Sequence, residues 1–204
     1  YLELQLPVWR PGRYFIFDFA SGIQEFSAKY GAGKLLKWKK TDKSTWQIEK
    51  KDHTDLKVSY KVYANDFANR TRGLDEKHGF VNGTAVFMFS PEYRNAPVKL
   101  KVIPFGSWHV TTGLDNVKND PLKFKAPNYD YLSDCPLEIG LQYDIDFSVD
   151  GKKHIISFFG EAGYDKERLI ADLTAIIKKN YEFWGSVPYE KYVFIVHSTP
   201  ASGG

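Results

Sequence analysis

From Leu56 to Ala64 the chain alternates with a period of two: Leu56, Val58, Tyr60, Val62 and Ala64 share one face, and Lys57, Ser59, Lys61 and Tyr63 share the other. Successive side chains of an extended strand point to opposite sides. The stretch is therefore a half-exposed antiparallel strand with one side on a core and one in water. A strand of this kind cannot stand alone, so the rest of the chain has to supply a many-stranded partner surface.

The composition agrees. Aromatic residues make up 16% of the 204 residues, and aromatics favour pleated, half-buried surfaces. Leu2, Leu4, Leu6 and Val8 alternate up to the turn Arg10-Pro11-Gly12. Tyr14 to Phe19 is almost wholly apolar and reads as a central strand covered on both faces. Leu35 to Trp38 and Thr45 to Ile48 flank the polar tip Thr41 to Ser44 as a hairpin. Asn65 to Thr84 has loop composition, and a loop of that length in a compact body is functional or packs on another domain. Ala85 to Phe89, Val98 to Val102 and Trp108 to Thr112 supply further strands. Leu141 to Val149 and Lys152 to Phe159 flank Asp150-Gly151, whose residues accept the positive φ of a type I′ turn.

After Gly160 the period changes to about 3.6. Asp165 is a helix N-cap, Leu169, Ile170, Leu173, Ile176, Ile177, Tyr181 and Trp184 follow at helical spacing, and Gly185 ends the run. Tyr192 to His197 is a final strand. The fold class is mainly β: a twisted antiparallel sheet body of sandwich or saddle type, residues 1–160, followed by one helix and one strand of an α/β domain, residues 161–204. Tyr1 already sits in an alternating pattern, so the natural start is expected upstream.

Several chemistries find no support. The charge of +3, from 28 basic and 25 acidic residues, is spread over strands, and the lysines between Lys34 and Lys40 read as a solvated face, so no nucleic-acid partner is expected. No stretch is apolar and long enough to span a bilayer as a helix. Cys135 is the one cysteine, which excludes an internal disulfide; it reads as a small buried hydrophobe. His53, His78, His109, His154 and His197 lie far apart and lack the spacing of a helical zinc motif, so they read as surface or singly bonded histidines. There is no Gly-rich phosphate loop and no nucleophile elbow. The sequence assigns no catalytic and no metal-binding residue.

The stretch from Asp130 to Gly140 concentrates three carboxylates, Tyr131, Cys135 and Pro136. Asp130 with Asp134, or Asp134 with Glu138, has the spacing to share a helical face. Capping and turn formation are the commoner uses of such acids, so Asp134 and Pro136 are read as structural turn residues.

Several stretches, in order, resemble the N-terminal part of the glycyl aminopeptidase family of zinc metallopeptidases. They are Leu6-Pro7-Val8-Trp9-Arg10-Pro11-Gly12-Arg13-Tyr14; Tyr63 to Asp66 with Arg70-Thr71; Leu74-Asp75 with His78 to Thr84; Asp134-Cys135-Pro136-Leu137-Glu138-Ile139-Gly140; and Trp184-Gly185-Ser186-Val187-Pro188-Tyr189-Glu190-Lys191-Tyr192. The resemblance implies an N-terminal β domain, then the opening of a thermolysin-like catalytic domain, in a family that commonly carries a PDZ domain. Gly203 and Gly204 would begin its Gly-Gly-x-Glu-His substrate-binding stretch, and the His-Glu-x-x-His zinc motif would lie beyond Gly204. The whole protein would then use zinc to hydrolyse the bond after an N-terminal Gly or Ala of a peptide. This chain would bind no zinc, would be inactive, and would wall the substrate cleft, with Glu138 as a candidate substrate contact. Uncovered catalytic-domain elements would favour a dimer. The alternative is a free-standing β-sandwich module that holds carbohydrate or protein on Trp9, Trp38, Trp46 and Trp108.

Overall fold

The computed structural model describes residues 1–31, 33–50, 55–67, 69–118, 120–161 and 163–198. The first strands are β1 (Leu2–Gln5), β2 (Ile23–Tyr30), β3 (Trp38–Lys40), β4 (Thr45–Ile48) and β5 (Leu56–Val62). Short elements follow: β6 (Asn65–Asp66), β7 (Arg72–Leu74), β8 (His78–Val81) and the single helical turn α1 (Gly83–Val86). Next come β9 (Val98–Lys101), β10 (His109–Thr112), β11 (Asp115–Val117), β12 (Asp120–Ala126) and the short helix α2 (Tyr129–Asp134). The chain continues through β13 (Leu137–Gly140), β14 (Tyr143–Val149), β15 (Lys152–Gly160), the 19-residue helix α3 (Lys166–Trp184) and β16 (Lys191–Ser198).

The fold is mainly β, with several antiparallel sheets and one main helix. Five strands form the central sheet in the order β10-β13-β8-β7-β6; smaller sheets are β1-β4-β3, β11-β12-β9, β14-β15-β16 and β2-β5. The alternation at Leu56–Val62 appears as expected, half-buried and exposed in turn, and the β3–β4 hairpin has Asp42 accepting the Ser44 N–H in its tip. At the β14–β15 turn Asp150 and Gly151 both take positive φ, 49° and 78°. In α3, Asp165 accepts the Arg168 N–H, and Gly185 closes the helix at φ 74°. No helix among the described residues is long and apolar enough to cross a membrane.

Three expectations are corrected. Tyr14 to Phe19 is not a central strand: Tyr14 and Ile16 face solvent, Phe17 and Phe19 turn into a core with Leu6 and Trp46, and Phe19–Gly22 is a 3-10 turn capped by Asp18. Hydrophobicity without alternation had suggested cover on both faces; it reflects a bent segment that buries only part of itself. The span from Asn65 to Thr84 contains β6, β7 and β8, strands of two to four residues held by pairing with distant partners. Ala85 to Phe89 is not a strand, because Asn82 accepts the Thr84 N–H and caps α1.

β16 lies parallel to β15 in eight register pairs, Lys153↔Lys191 to Gly160↔Ser198. Parallel neighbours need a crossover, and α3 supplies it.

Candidate functional site: a buried His–Glu–His cluster

The central sheet sets the site through its pairing. Phe80 of β8 lies opposite Glu138 of β13, His78 lies opposite Gly140, and Thr111 of β10 lies opposite Glu138. Partners across an antiparallel pair share a face, so His78, Phe80, Thr111 and Glu138 project together. Gly140 leaves room for His78, since a Cβ there would stand 2.9 Å from the His78 Cβ. Gly73 likewise leaves room for the ring of Phe67. On the adjoining sheet, Phe159 of β15 and His197 of β16 are register partners and meet this face.

Glu138 is fully buried. Its Oε1 lies 2.6 Å from His78 Nδ1 and its Oε2 lies 2.7 Å from His197 Nε2. Burial works to raise the Glu138 pKa, but hydrogen bonds from His197 and His78 outweigh it and hold the carboxyl below its ordinary range. The His78 ring is stacked between Phe159, 3.4 Å between centroids, and Phe67, 4.5 Å. His197 meets the rings of Phe80, Phe159 and Phe67 edge to face. Behind Glu138, Gln142 Nε2 donates to the Glu138 carbonyl at 3.3 Å and to Thr111 Oγ1 at 3.0 Å, and Thr111 Oγ1 donates to Asp144 Oδ2 at 2.5 Å.

Two imidazoles and a carboxylate are a zinc-type donor set, and among the described residues this is the one group of three or more such side chains with ligand atoms close together. Its geometry does not fit the ion. Around tetrahedral zinc, with bonds of about 2.0–2.1 Å, ligand atoms stand roughly 3.3 Å apart. Here each imidazole instead takes its own carboxylate oxygen at 2.6 or 2.7 Å. In this arrangement the three side chains satisfy one another through hydrogen bonds.

The reading of surface or singly bonded histidines holds for His78, His109 and His197 and fails for His154, whose two ring nitrogens both have partners. His78 and His154 are buried. His154 Nδ1 lies 3.0 Å from the Lys152 carbonyl, which only accepts, so Nδ1 carries the proton and Nε2 accepts from the Tyr189 hydroxyl at 3.2 Å. His109 is exposed, with Nε2 3.4 Å from Asp144; His53 lies outside the described residues. Sequence spacing could not reveal the cluster, because its members sit 60 and 59 residues from Glu138. The one signal available was His197 at the end of the strand run Tyr192 to His197.

Asp134 ends α2 and is exposed, and Pro136 follows two residues later, ahead of β13. Asp134 and Glu138 share no helical face, since the second is on a strand; Asp130 instead pairs with Arg94 at 2.8 Å. Cys135 is half-buried against the Leu114 and Phe124 core, and burial, then Asp134, push its thiol up to about 11, which suits packing rather than nucleophilic chemistry. Gly203 and Gly204 lie outside the described residues. The proposed tryptophan platform fails at Trp46, which is buried against Phe26.

Comparison with known proteins adds a family. A family model described as the peptidase M61 N-terminal domain matches residues 1–141. A crystal structure of an aminopeptidase N family protein from Idiomarina loihiensis is 31% identical and covers 100% of this chain, with a TM-score of 0.91; the chain spans 35% of that protein. A two-domain M1 zinc metallopeptidase bound to L-arginine is similar in fold alone, at 12% identity over 98% of this chain and 49% of its own, TM-score 0.50. An M1 zinc metallopeptidase from Deinococcus radiodurans bound to a Tyr-Ser-Ala substrate gives the same values. No curated protein matches the chain.

Proposed function

Because this chain belongs to the peptidase M61 N-terminal domain family, the N-terminal domain of M1/M61-type zinc metallopeptidases, we propose that it is the non-catalytic N-terminal region of a glycyl aminopeptidase. The whole enzyme, with a PDZ domain in the manner of that family, removes N-terminal Gly or Ala from peptides. The observation that carries the reading is similarity over the entire chain at 31% identity to the Idiomarina protein, through α3 and β16 and past residue 141, where the family match ends.

In this reading residues 1–160 are the N-terminal β domain and residues 161–204 open the catalytic domain. The β14–β15 hairpin is the seam, since β16 hydrogen-bonds along β15. Gly203 and Gly204 begin the substrate-binding stretch and Asp134 and Pro136 shape the turn before β13. Glu138, with both oxygens engaged, contributes to the cleft wall without touching substrate. The catalytic zinc is held by residues outside this chain.

The test compares two proteins. A longer protein that carries this region with a His-Glu-x-x-His stretch is expected to release p-nitroaniline from Gly- and Ala-p-nitroanilide, and to leave amino-blocked analogues intact. The purified 204-residue chain is expected to release none and to retain no stoichiometric zinc. Turnover by the chain alone, or a longer protein with no preference for small residues, would overturn the reading. Selective binding on a glycan array would favour a carbohydrate module instead.

A further inference from the structure

We propose that Glu138 is a positioning residue: a buried anion that fixes which nitrogen of His197 carries a proton and holds the end of β16 against the β8–β13 face. Its consequence for catalysis rests on the aminopeptidase reading above; the placement of the protons does not.

An ionised carboxylate can only accept. Both ring nitrogens that face Glu138, His78 Nδ1 at 2.6 Å and His197 Nε2 at 2.7 Å, must therefore be N–H. When each ring is neutral, His197 keeps its lone pair on Nδ1 and His78 on Nε2, so one anion imposes opposite tautomers on its two partners. The rings have little freedom to turn over. Phe67 and Phe159 clasp the faces of His78, and three phenyl rings enclose His197.

The side chains of Glu138 and His78 are 0% and 4% exposed, while that of His197 is 19% exposed. Any effect of Glu138 on a molecule outside the cluster must then pass through His197. This residue sits near the end of β16, six positions before Gly203. The contact also ties the sheet within residues 1–141 to a strand beyond them. A purely apolar seam would hold the strand equally well but would leave the imidazole proton unspecified.

Two-bond 1H–15N correlation of the full 204-residue chain, labelled with 15N histidine, reads the tautomers directly. At neutral pH His197 is expected with its proton on Nε2 and His78 with its proton on Nδ1. In Glu138→Gln the carboxamide turns an N–H toward one ring, which must give up its proton there and change tautomer. A wild-type His197 in rapid exchange between tautomers, or tautomers unchanged in Glu138→Gln, would overturn the proposal; the wild-type spectrum decides even if the variant misfolds. In the longer protein, His197→Phe is expected to raise KM for Gly-p-nitroanilide about tenfold. His197→Gln, whose carboxamide still donates to Glu138, should raise it less. Equal KM in both variants would contradict positioning. Absence of any peptidase activity, with the tautomers as expected, would instead overturn the aminopeptidase reading.

Discussion

The ring of Phe159 lies flat on the imidazole of His78, with centroids 3.4 Å apart and planes 12° from parallel. The two residues come from different sheets, β15 and β8, so the stack is a direct bridge between them. Phe159→Ala removes one side of that clasp and opens space beside a buried ring. A loss of roughly 2–3 kcal/mol is expected in urea unfolding, the half-buried position placing it below a full core Phe deletion. Phe159→Leu should recover part of it, and equal stability of the wild type and the Ala variant would mean that the stack contributes nothing.

Acid should weaken the same region through Glu138. Burial opposes its charge, yet the hydrogen bonds from His197 and His78 leave its folded pKa below the ordinary value. The unfolded chain therefore binds this proton more readily. Stability from the group is full above about pH 4.3, the unfolded Glu pKa, and is lost as the pH falls through the lower folded value. Glu138→Gln is expected to cost roughly 1.5–3 kcal/mol at pH 7, the range for a hydrogen bond to a charged group, and the gap should close toward pH 3. A gap that is constant with pH would show that the charge is not what stabilises the cluster.

Local rules made much of this legible in advance, and they failed where partners are distant. The alternation at Leu56–Val62, the Asp150-Gly151 turn and the Asp165-to-Gly185 helix each depend on residues a few positions apart, and each formed as expected. The strands β7 and β8 are three and four residues long and owe their conformation to neighbours in the central sheet, so they looked like loop. The cluster at Glu138 was hidden for the same reason. Its carboxylate was noticed as one of several acids in a turn, while the imidazoles that define it enter from β8 and β16. Tyr14 to Ile16 misled in the opposite sense, since apolar composition cannot tell a covered strand from an exposed bend.

Two glycines of positive φ should respond very differently to substitution. Gly160 has φ +95°, and a Cβ there would lie 2.0 Å from the Ser198 carbonyl oxygen, where β15 pairs with the last residue of β16. Gly160→Ala combines backbone strain with this clash and is expected to cost more than about 2 kcal/mol. Gly151 has φ +78° with nothing within 4 Å of a Cβ, and Asn tolerates the left-handed region, so Gly151→Asn should cost under about 1 kcal/mol. Thermal unfolding of both variants under one condition makes the comparison, and equal shifts would count against a close approach at Gly160.

The outward side of α3 predicts self-association. Only Ile177 of the helix is buried, while Ile176, Phe183 and Trp184 are 57%, 77% and 72% exposed and the last two pack edge to face on each other. Large apolar side chains gathered on one exposed surface favour association, and the aromatic pair offers a compact contact that a second copy could cover. Sedimentation velocity is expected to show a mass that rises with concentration. Phe183→Ser with Trp184→Ser should move the distribution toward monomer without loss of the helical circular dichroism signal, since neither side chain supports the core. Salt separates this from charge pairing: apolar association persists or strengthens as ionic strength rises, whereas contacts through the many surface lysines would weaken. A monomer at every concentration, or association that survives the double substitution, would remove α3 as the contact.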